Sequence, residues 1–326
     1  MTFTRHLTGL AAALALAAPA SAQDFPMTLA HVLSDQSPYQ VIFGEFKRLI
    51  EERSGGRIAV EIQCCAQAGN ETRAIQSLRT GILSGALVGG STLETVVPAY
   101  RVLSLPYLFD EKAQAYEILQ SDMGREMLDL LGGYEMYGLG FGSIYERSVA
   151  SFAPISSVAD MAGLKIRVLP TPGFVEAYNA LGTQPTPMAY GEVFMALQNR
   201  VVDAMEISPD AFVADRFYEV AKNYTLTKTH QSTTVFVLSK AFWESLPADL
   251  QAMVQATALE AIAVGIAAHD KLAADGLVTA AGAGVTIIEP DLAPFAEMAR
   301  KSWEVILKDQ PEASDYLARF QAFMGR

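Results

Sequence analysis

Two arginines have the surroundings that most clearly indicate a binding site in this sequence. Arg167 lies in the segment LKIRV, whose apolar neighbours predict a buried strand. A buried guanidinium is costly unless an anion pairs with it, and its planar fork matches a carboxylate with two hydrogen bonds. The anion is either an internal Asp or Glu or the carboxylate of a ligand. Arg147, in YERSV, follows a glycine-rich strand and is either part of the same site or a solvated residue beside Glu146.

Sequence motifs of the common enzyme classes do not occur in this chain. It contains neither a G-x-S-x-G elbow nor a G-x-x-x-x-G-K-[ST] phosphate loop. The alternating Gly138, Gly140 and Gly142 depart from the dinucleotide fingerprint at Ser143 and indicate close packing of a central strand. No two histidines form an H-x-x-x-H pair. The sequence therefore predicts no catalytic residue, no cofactor and no metal site.

The composition excludes several further classes of protein. Of the 326 residues, 51% are hydrophobic, which is too many for a disordered chain. The net charge of −12 argues against a nucleic-acid partner, because binding phosphates needs a basic face. The only two cysteines, Cys64 and Cys65, are adjacent, which excludes a disulfide framework and a Cys-rich zinc site. They are either two reduced, buried thiols or a strained vicinal disulfide.

The first 22 residues predict a secretory signal peptide rather than part of the fold. The apolar run from Leu7 to Ala18 is shorter than the roughly 20 residues that a membrane span needs. Small residues precede Gln23, so we expect cleavage after Ala22. The mature protein is then a soluble protein of the periplasm, an oxidising compartment.

Strands and helices alternate along the chain and must position the candidate residues. Strands are predicted at residues 27–32, 57–63, 86–89, 137–144, 164–168, 202–206, 224–227, 233–238 and 285–289. Helical patterns lie between them, and a very long one begins at Ala248 and runs to about Gly276. This alternation predicts an α/β fold with a mainly parallel sheet. We expect two α/β lobes, and no Pro-, Gly- or Ser-rich linker separates them, so the chain can cross between the lobes more than once.

Several segments resemble one family of binding proteins. Residues 160–209 contain GLKIRV and PTPMAYGEVFMALQNRVVDAMEI, and the segments ERSGGRIAVEI, AGNETRAIQSLRTGILSGA, LPYLF and FWESLPADLQ stand in the same order as in that family. The chain resembles the DctP-like substrate-binding proteins of tripartite ATP-independent periplasmic (TRAP) transporters. This resemblance implies a two-lobed periplasmic-binding-protein-like fold, with a ligand cleft between the lobes and a long helix that spans both. The expected lobe I comprises residues 23–146 and 233–272, and lobe II comprises residues 147–232 and 273–326.

The resemblance also implies which residues form the ligand site. Arg167 would grip the ligand carboxylate, and Arg147 would be the second pocket arginine. The remaining residues that the family pattern places near the ligand are Glu71 and Arg73 in GNETR, and Glu206 and Ile207 after V-D. Ile207 stands where the family often has Asn, which removes one expected hydrogen bond to the carboxylate.

Three further residues are weaker candidates for ligand binding. His31 follows a strand end, where open α/β sheets place ligands, or is a core histidine. Tyr39 begins the helix beside that strand and either closes the pocket or lies on the surface. His230 precedes a predicted strand.

These residues predict a receptor that binds a small organic acid and delivers it to the membrane subunits of a TRAP permease. Glu71 and Glu206 suit hydroxyl groups and repel a second anionic end, so the preferred ligand is a sugar acid such as a uronate or aldonate. A C4-dicarboxylate or 2-oxo acid is the alternative within the family. The alternative from another class is an exported α/β enzyme acting on sugar acids. We expect a monomer.

Overall fold

The computed structural model describes residues 24–326, and the predicted signal peptide with its cleavage after Ala22 lies outside the described residues. In this part of the chain, nine strands form: β1 Phe25–Ala30, β2 Ile58–Gln63, β3 Gly85–Gly89, β4 Met136–Ser151, β5 Lys165–Val168, β6 Gln184–Pro187, β7 Ala204–Ile207, β8 Asn223–Ser239 and β9 Thr286–Ile288. The same residues form the helices α1 Pro38–Arg53, α2 Glu71–Arg79, α3 Gly90–Leu93, α4 Lys112–Leu119, α5 Asp122–Leu130, α6 Pro172–Ala180, α7 Val193–Gln198, α8 Pro209–Ala214, α9 Lys240–Ser245, α10 Ala248–Gly282, α11 Leu292–Arg300, α12 Trp303–Leu307 and α13 Pro311–Phe323.

All the strands belong to one sheet, in the order β2-β1-β3-β8-β4-β7-β5-β6, with β9 paired to β8. The pairs β1/β2, β1/β3, β5/β6 and β5/β7 are parallel, whereas β3/β8, β4/β8 and β4/β7 are antiparallel. The sheet is therefore mixed. Its two ends are parallel, as the alternation of strands and helices predicts, and its centre is antiparallel, which that alternation does not indicate.

The antiparallel centre consists of two strands that are longer than predicted. Strand β4 continues through Arg147 to Ser151, so Arg147 lies within the strand and not beyond its end. The two strands predicted around residues 224–238 are one strand, β8. Arg147 and His230 are partners in the register of β4 and β8, which places both residues in the middle of the sheet.

Helix α10, with 35 residues, packs against α1, from the half of the molecule that contains β1, β2 and β3, and against α8, from the half that contains β5, β6 and β7. A Cβ on Gly265 would lie 2.1 Å from Cγ1 of Ile42 in α1, and a Cβ on Gly276 would lie 2.8 Å from the carbonyl oxygen of Pro209 in α8. Glycine is required at both positions because a larger residue would push the neighbouring helix away. Helix α10 thus joins the two halves on one face of the sheet.

The hydrophobic core is continuous between the two halves on the opposite side. One cluster of buried residues contains Ile75 of α2, Leu103 from the turn that follows α3, Phe174 of α6 and Phe295 of α11. The predicted lobe boundaries after residues 146 and 232 lie inside β4 and β8, respectively. The exact division into lobe I and lobe II stays a prediction.

Candidate functional site

A cavity opens where the carboxyl ends of the parallel strands from the two halves meet the middle of β4 and β8. Its walls come from the segments after β1, β2, β3, β5, β6 and β7. This is the edge at which open α/β sheets bind ligands, because the strand order changes there and leaves a crevice. The predicted residues that line the cavity are Tyr39, Glu71, Arg147, Arg167 and Ile207.

Arg167 projects from β5 into this cavity with a side chain that is 0% exposed to solvent. Its Nε and Nη2 donate to the carbonyl oxygen of Met188 at 3.1 and 2.9 Å, and its Nη1 donates to Oε1 of Glu206 at 3.2 Å. These bonds use three of the five guanidinium N–H groups. Burial lowers the pKa of Arg167, and the neighbouring Glu206 carboxylate opposes this shift.

Arg147 approaches the same acid from β4. Its Nε donates to Oε2 of Glu206, and its Nη2 donates to the Glu206 carbonyl oxygen at 3.1 Å. Burial works against the charged form, yet the Glu206 carboxylate raises the pKa of Arg147 above its ordinary value. The guanidinium carbon also lies 6.0 Å from the centre of the Phe174 ring, so Phe174 helps to fix the orientation of Arg147.

Glu206 has a different position from the one predicted for it. It is fully buried in β7 and is not among the residues that line the cavity. Its carboxylate accepts hydrogen bonds from both arginines and, at 3.0 Å, from the backbone N–H of Leu169. Glu206 therefore binds the two arginines on the side that faces away from the cavity. Two positive groups and one negative group leave a net charge of +1 at this end of the cavity.

Glu71 lies on the opposite wall, at the start of α2. Asn70 caps this helix, because its Oδ1 accepts a hydrogen bond from the backbone N–H of Arg73 at 2.9 Å. Glu71 accepts hydrogen bonds from the Gly89 N–H at 3.2 Å and from the Thr92 hydroxyl at 2.5 Å. Burial raises the pKa of Glu71, and these two bonds reduce the shift. The Arg73 side chain is exposed and does not line the cavity, whereas the resemblance to the family places it near the ligand.

The weaker candidates divide between the cavity and the core. Tyr39 lines the cavity and is buried, with its ring 5.9 Å from that of Tyr145. His31 lies behind it, with Nε2 2.9 Å from Oε1 of Gln40, and burial lowers its pKa. His31 is thus a core histidine with a hydrogen-bond partner.

His230 is also placed in the core rather than in the cavity wall. Its Nε2 lies 3.2 Å from the carbonyl oxygen of Ser104, and its ring stacks on Phe174 with centroids 4.0 Å apart. Burial, followed by the charge of Arg147, lowers the pKa of His230 to about 3. A neutral His230 supports Phe174, which in turn contacts Arg147.

The sequence pattern does not single out three hydroxyl groups that lie in the cavity wall. Ser208, Ser232 and Thr234 line the cavity and are buried, and their hydroxyl oxygens form no hydrogen bond with the described residues. A buried hydroxyl without a partner is costly, so a polar ligand is the natural partner for this group. For Ser232 and Thr234, the feature of the sequence that could indicate a cavity wall is the polar stretch QSTT, which continues directly into an apolar strand segment.

Cys64 and Cys65 form a vicinal disulfide in the loop between β2 and α2. Cys65 is exposed and Cys64 is half-buried. Of the two states that the sequence leaves open, reduced thiols or a vicinal disulfide, the structure contains the disulfide. Two adjacent cysteines give no pattern from which sequence alone can decide between these states.

The comparisons with known proteins agree with this geometry. The family described as bacterial extracellular solute-binding protein, family 7 (DctP), matches residues 29–310. This chain belongs to that family. A C4-dicarboxylate-binding periplasmic protein DctP of Rhodobacter capsulatus is 28% identical over 314 residues, which cover 93% of this chain and 92% of that protein.

Solved structures of the family have the same fold. A TRAP periplasmic solute-binding protein from Xanthobacter autotrophicus with bound β-D-galacturonate is 28% identical, with a TM-score of 0.87 over 91% of this chain and 99% of that chain. One from Chromohalobacter salexigens with bound D-glucuronate is 26% identical, with a TM-score of 0.88 and the same coverage of 91% and 99%. The predicted family and the predicted two-lobed α/β fold are confirmed. The family is extracytoplasmic and binds solutes, in agreement with the predicted compartment.

Proposed function

We propose that this protein binds a sugar acid, such as a uronate or aldonate, in the cavity between its two halves. The observation that carries the proposal is the cluster of Arg147, Arg167 and Glu206, which retains a net charge of +1 and presents unused N–H donors to the cavity. One net positive charge suits one ligand carboxylate. The Arg167 fork provides the geometry for that carboxylate.

The rest of the wall supports a ligand with hydroxyl groups. Glu71 presents a carboxylate acceptor, and Ser208, Ser232 and Thr234 offer hydroxyls that have no hydrogen bond to the described residues. A hydroxyl group can donate to the first and exchange hydrogen bonds with the others. Ile207 adds an apolar surface to the cavity wall. The bound galacturonate and glucuronate of the two related structures have this combination of one carboxylate and several hydroxyls.

A C4-dicarboxylate is the second candidate, because the Rhodobacter capsulatus relative is named for such a ligand. Two features oppose it. The second carboxylate would face Glu71, and like charges at close range in a buried site repel each other. The arginine cluster has only one unbalanced positive charge, which the first carboxylate already neutralises.

We further infer that the protein acts as a monomeric receptor that releases its ligand, unchanged, to the membrane subunits of a TRAP permease. The export that this role requires agrees with cleavage after Ala22 and a periplasmic location. The division into lobe I (residues 23–146 and 233–272) and lobe II (residues 147–232 and 273–326) is part of the same proposal. It places Glu71 and Arg167 on different lobes, so one ligand bridges them.

The test is a thermal-shift panel followed by calorimetry. The panel contains D-galacturonate, D-glucuronate and D-galactonate, the dicarboxylates succinate and L-malate, the 2-oxo acid pyruvate, and neutral D-galactose as the matched control that lacks a carboxylate. A ligand at 100 times its dissociation constant stabilises the folded protein by about 2.7 kcal/mol. We expect the sugar acids to give the largest shifts and D-galactose to give none.

Other outcomes separate the alternatives. If succinate or malate ranks first, the ligand class is wrong while the receptor function stands. If the ligand recovered after incubation has a changed NMR spectrum, the protein is an enzyme. If no organic acid shifts the unfolding temperature, the proposed function itself is wrong.

A further inference from the structure

The loop that contains the vicinal disulfide is built into the wall of the cavity. The backbone N–H of Cys65 donates to the Leu33 carbonyl oxygen at 2.9 Å, and that of Ala66 donates to the His31 carbonyl oxygen at 3.3 Å. Ala66 and Leu33 both line the cavity. The two bonds therefore connect the loop after β2 to the loop after β1 within the cavity wall.

The backbone of this loop has a conformation that ordinary residues avoid. Cys65 and Ala66 have φ angles of 60° and 59°, so two consecutive residues with a Cβ are in the left-handed region. Such a pair persists only where its surroundings hold it. The disulfide joins Cys65 to its neighbour Cys64 and so restricts the first of these two residues.

We propose that the Cys64–Cys65 disulfide is a reducible brace of the ligand cavity, and that its reduction by a dithiol weakens ligand binding. Exposed Cys65 is the point of attack. A thiolate of the dithiol forms a mixed disulfide with the sulfur of Cys65, and Cys64 leaves as a thiolate. The second thiol of the dithiol then displaces Cys65. The dithiol is oxidised to a disulfide, while two electrons and two protons pass to Cys64 and Cys65.

Reduction removes the ring that restricts Cys65, so Cys65 and Ala66 are free to return to common backbone conformations. This change removes the hydrogen bonds to Leu33 and His31 and lets Ala66 move out of the cavity wall. The same segment leads into Asn70 and Glu71, which also line the cavity. We expect the displaced wall to lose one hydrogen bond to the ligand, which corresponds to a roughly threefold to tenfold weaker affinity.

The inference rests on the proposed function, because affinity for D-galacturonate is its readout. The experiment measures that affinity by calorimetry for the oxidised protein, for the protein reduced with dithiothreitol, and for the variant Cys64→Ser/Cys65→Ser. Thiols are counted on the native protein in each state. The chain has no other cysteine, so any effect of the reductant acts through this pair. We expect no free thiol before reduction, two after it, and a threefold to tenfold loss of affinity that reoxidation reverses.

The double variant provides the control, because it should bind as weakly as the reduced protein and should not respond to dithiothreitol. If the double variant does not fold, reversible reduction of the natural chain remains sufficient. The inference is wrong if the purified protein already has two free thiols, or if fully reduced protein binds as tightly as oxidised protein. If the oxidised protein binds none of the sugar acids, the proposed function fails and this inference fails with it.

Discussion

Replacing Arg167 with alanine should abolish most of the affinity for a sugar acid. The Arg167 side chain is 0% exposed, and the substitution reduces the charge of the arginine cluster from +1 to zero, since one arginine then faces Glu206. Losing one partner of a desolvated ion pair typically costs about 3–5 kcal/mol. At about 1.4 kcal/mol per tenfold change, the dissociation constant should rise roughly 100- to 3,000-fold.

The measurement is calorimetric titration with D-galacturonate, accompanied by thermal unfolding of each variant. Arg167→Lys should recover little affinity, because an ammonium group keeps the charge and lacks the fork that contacts Met188 and Glu206 and that we propose also holds the ligand carboxylate. Lys165→Ala is the matched control, since Lys165 is an exposed residue of the same strand and should bind like the natural chain. If folded Arg167→Ala binds within threefold of the natural chain, Arg167 does not hold the carboxylate.

Three further predictions concern the acidic residues. Glu206→Gln should weaken galacturonate binding at least tenfold by calorimetry, because the two arginines lose the carboxylate that holds both of them. Tighter binding would mean that the net charge of the site alone determines the affinity. Glu71→Ala should weaken galacturonate binding about tenfold and improve succinate binding in the same titrations, because it removes a hydrogen-bond acceptor and a negative charge from the cavity wall. Equal losses of affinity for both ligands would mean that Glu71 does not determine which ligand binds. Glu94 is buried at the end of α3, where its Oε1 accepts a hydrogen bond from the Gly173 N–H at 2.9 Å. Burial raises the pKa of Glu94 above 4.5, so its contribution to the free energy of unfolding is greatest at low pH and is lost as pH rises through the folded-state pKa. Thermal unfolding of Glu94→Gln between pH 4 and 7 should therefore show a flatter profile than the natural chain, and an unchanged slope would contradict this.

The parts of the site that the sequence could predict are those that break an otherwise apolar pattern. Arg167 is a charged residue in a segment that the hydrophobic pattern makes a buried strand, and the structure places it there with an anionic partner. The sequence allows either an internal salt bridge or a ligand site for this residue. The structure contains the salt bridge. The cluster still has one unbalanced positive charge, because Arg147 pairs with the same carboxylate.

The same break in pattern explains what the sequence could not predict. The sequence predicts that β4 ends at Ile144 and that β8 is two strands, because the polar residues YERS and KTHQS interrupt the apolar alternation. These polar residues lie in the middle of the sheet, where Arg147 lines the cavity and His230 supports it. Local pattern fails most often at functional positions, since a binding site needs polar groups where a core would be apolar.

The place of Glu206 also explains how a receptor can keep one buried arginine, Arg167, and one largely buried arginine, Arg147, when no ligand is bound. An unpaired buried ion costs several kcal/mol even after the protein relaxes, so two unpaired guanidinium groups would strongly destabilise the unliganded fold. Glu206 balances one of the two charges through permanent hydrogen bonds to both side chains. Only the single remaining charge needs the ligand, which is enough to select a carboxylate. Because both arginines keep Glu206 as a partner when the ligand leaves, release leaves one unbalanced charge in the site rather than two, and this suits a protein that must give up its ligand as well as bind it.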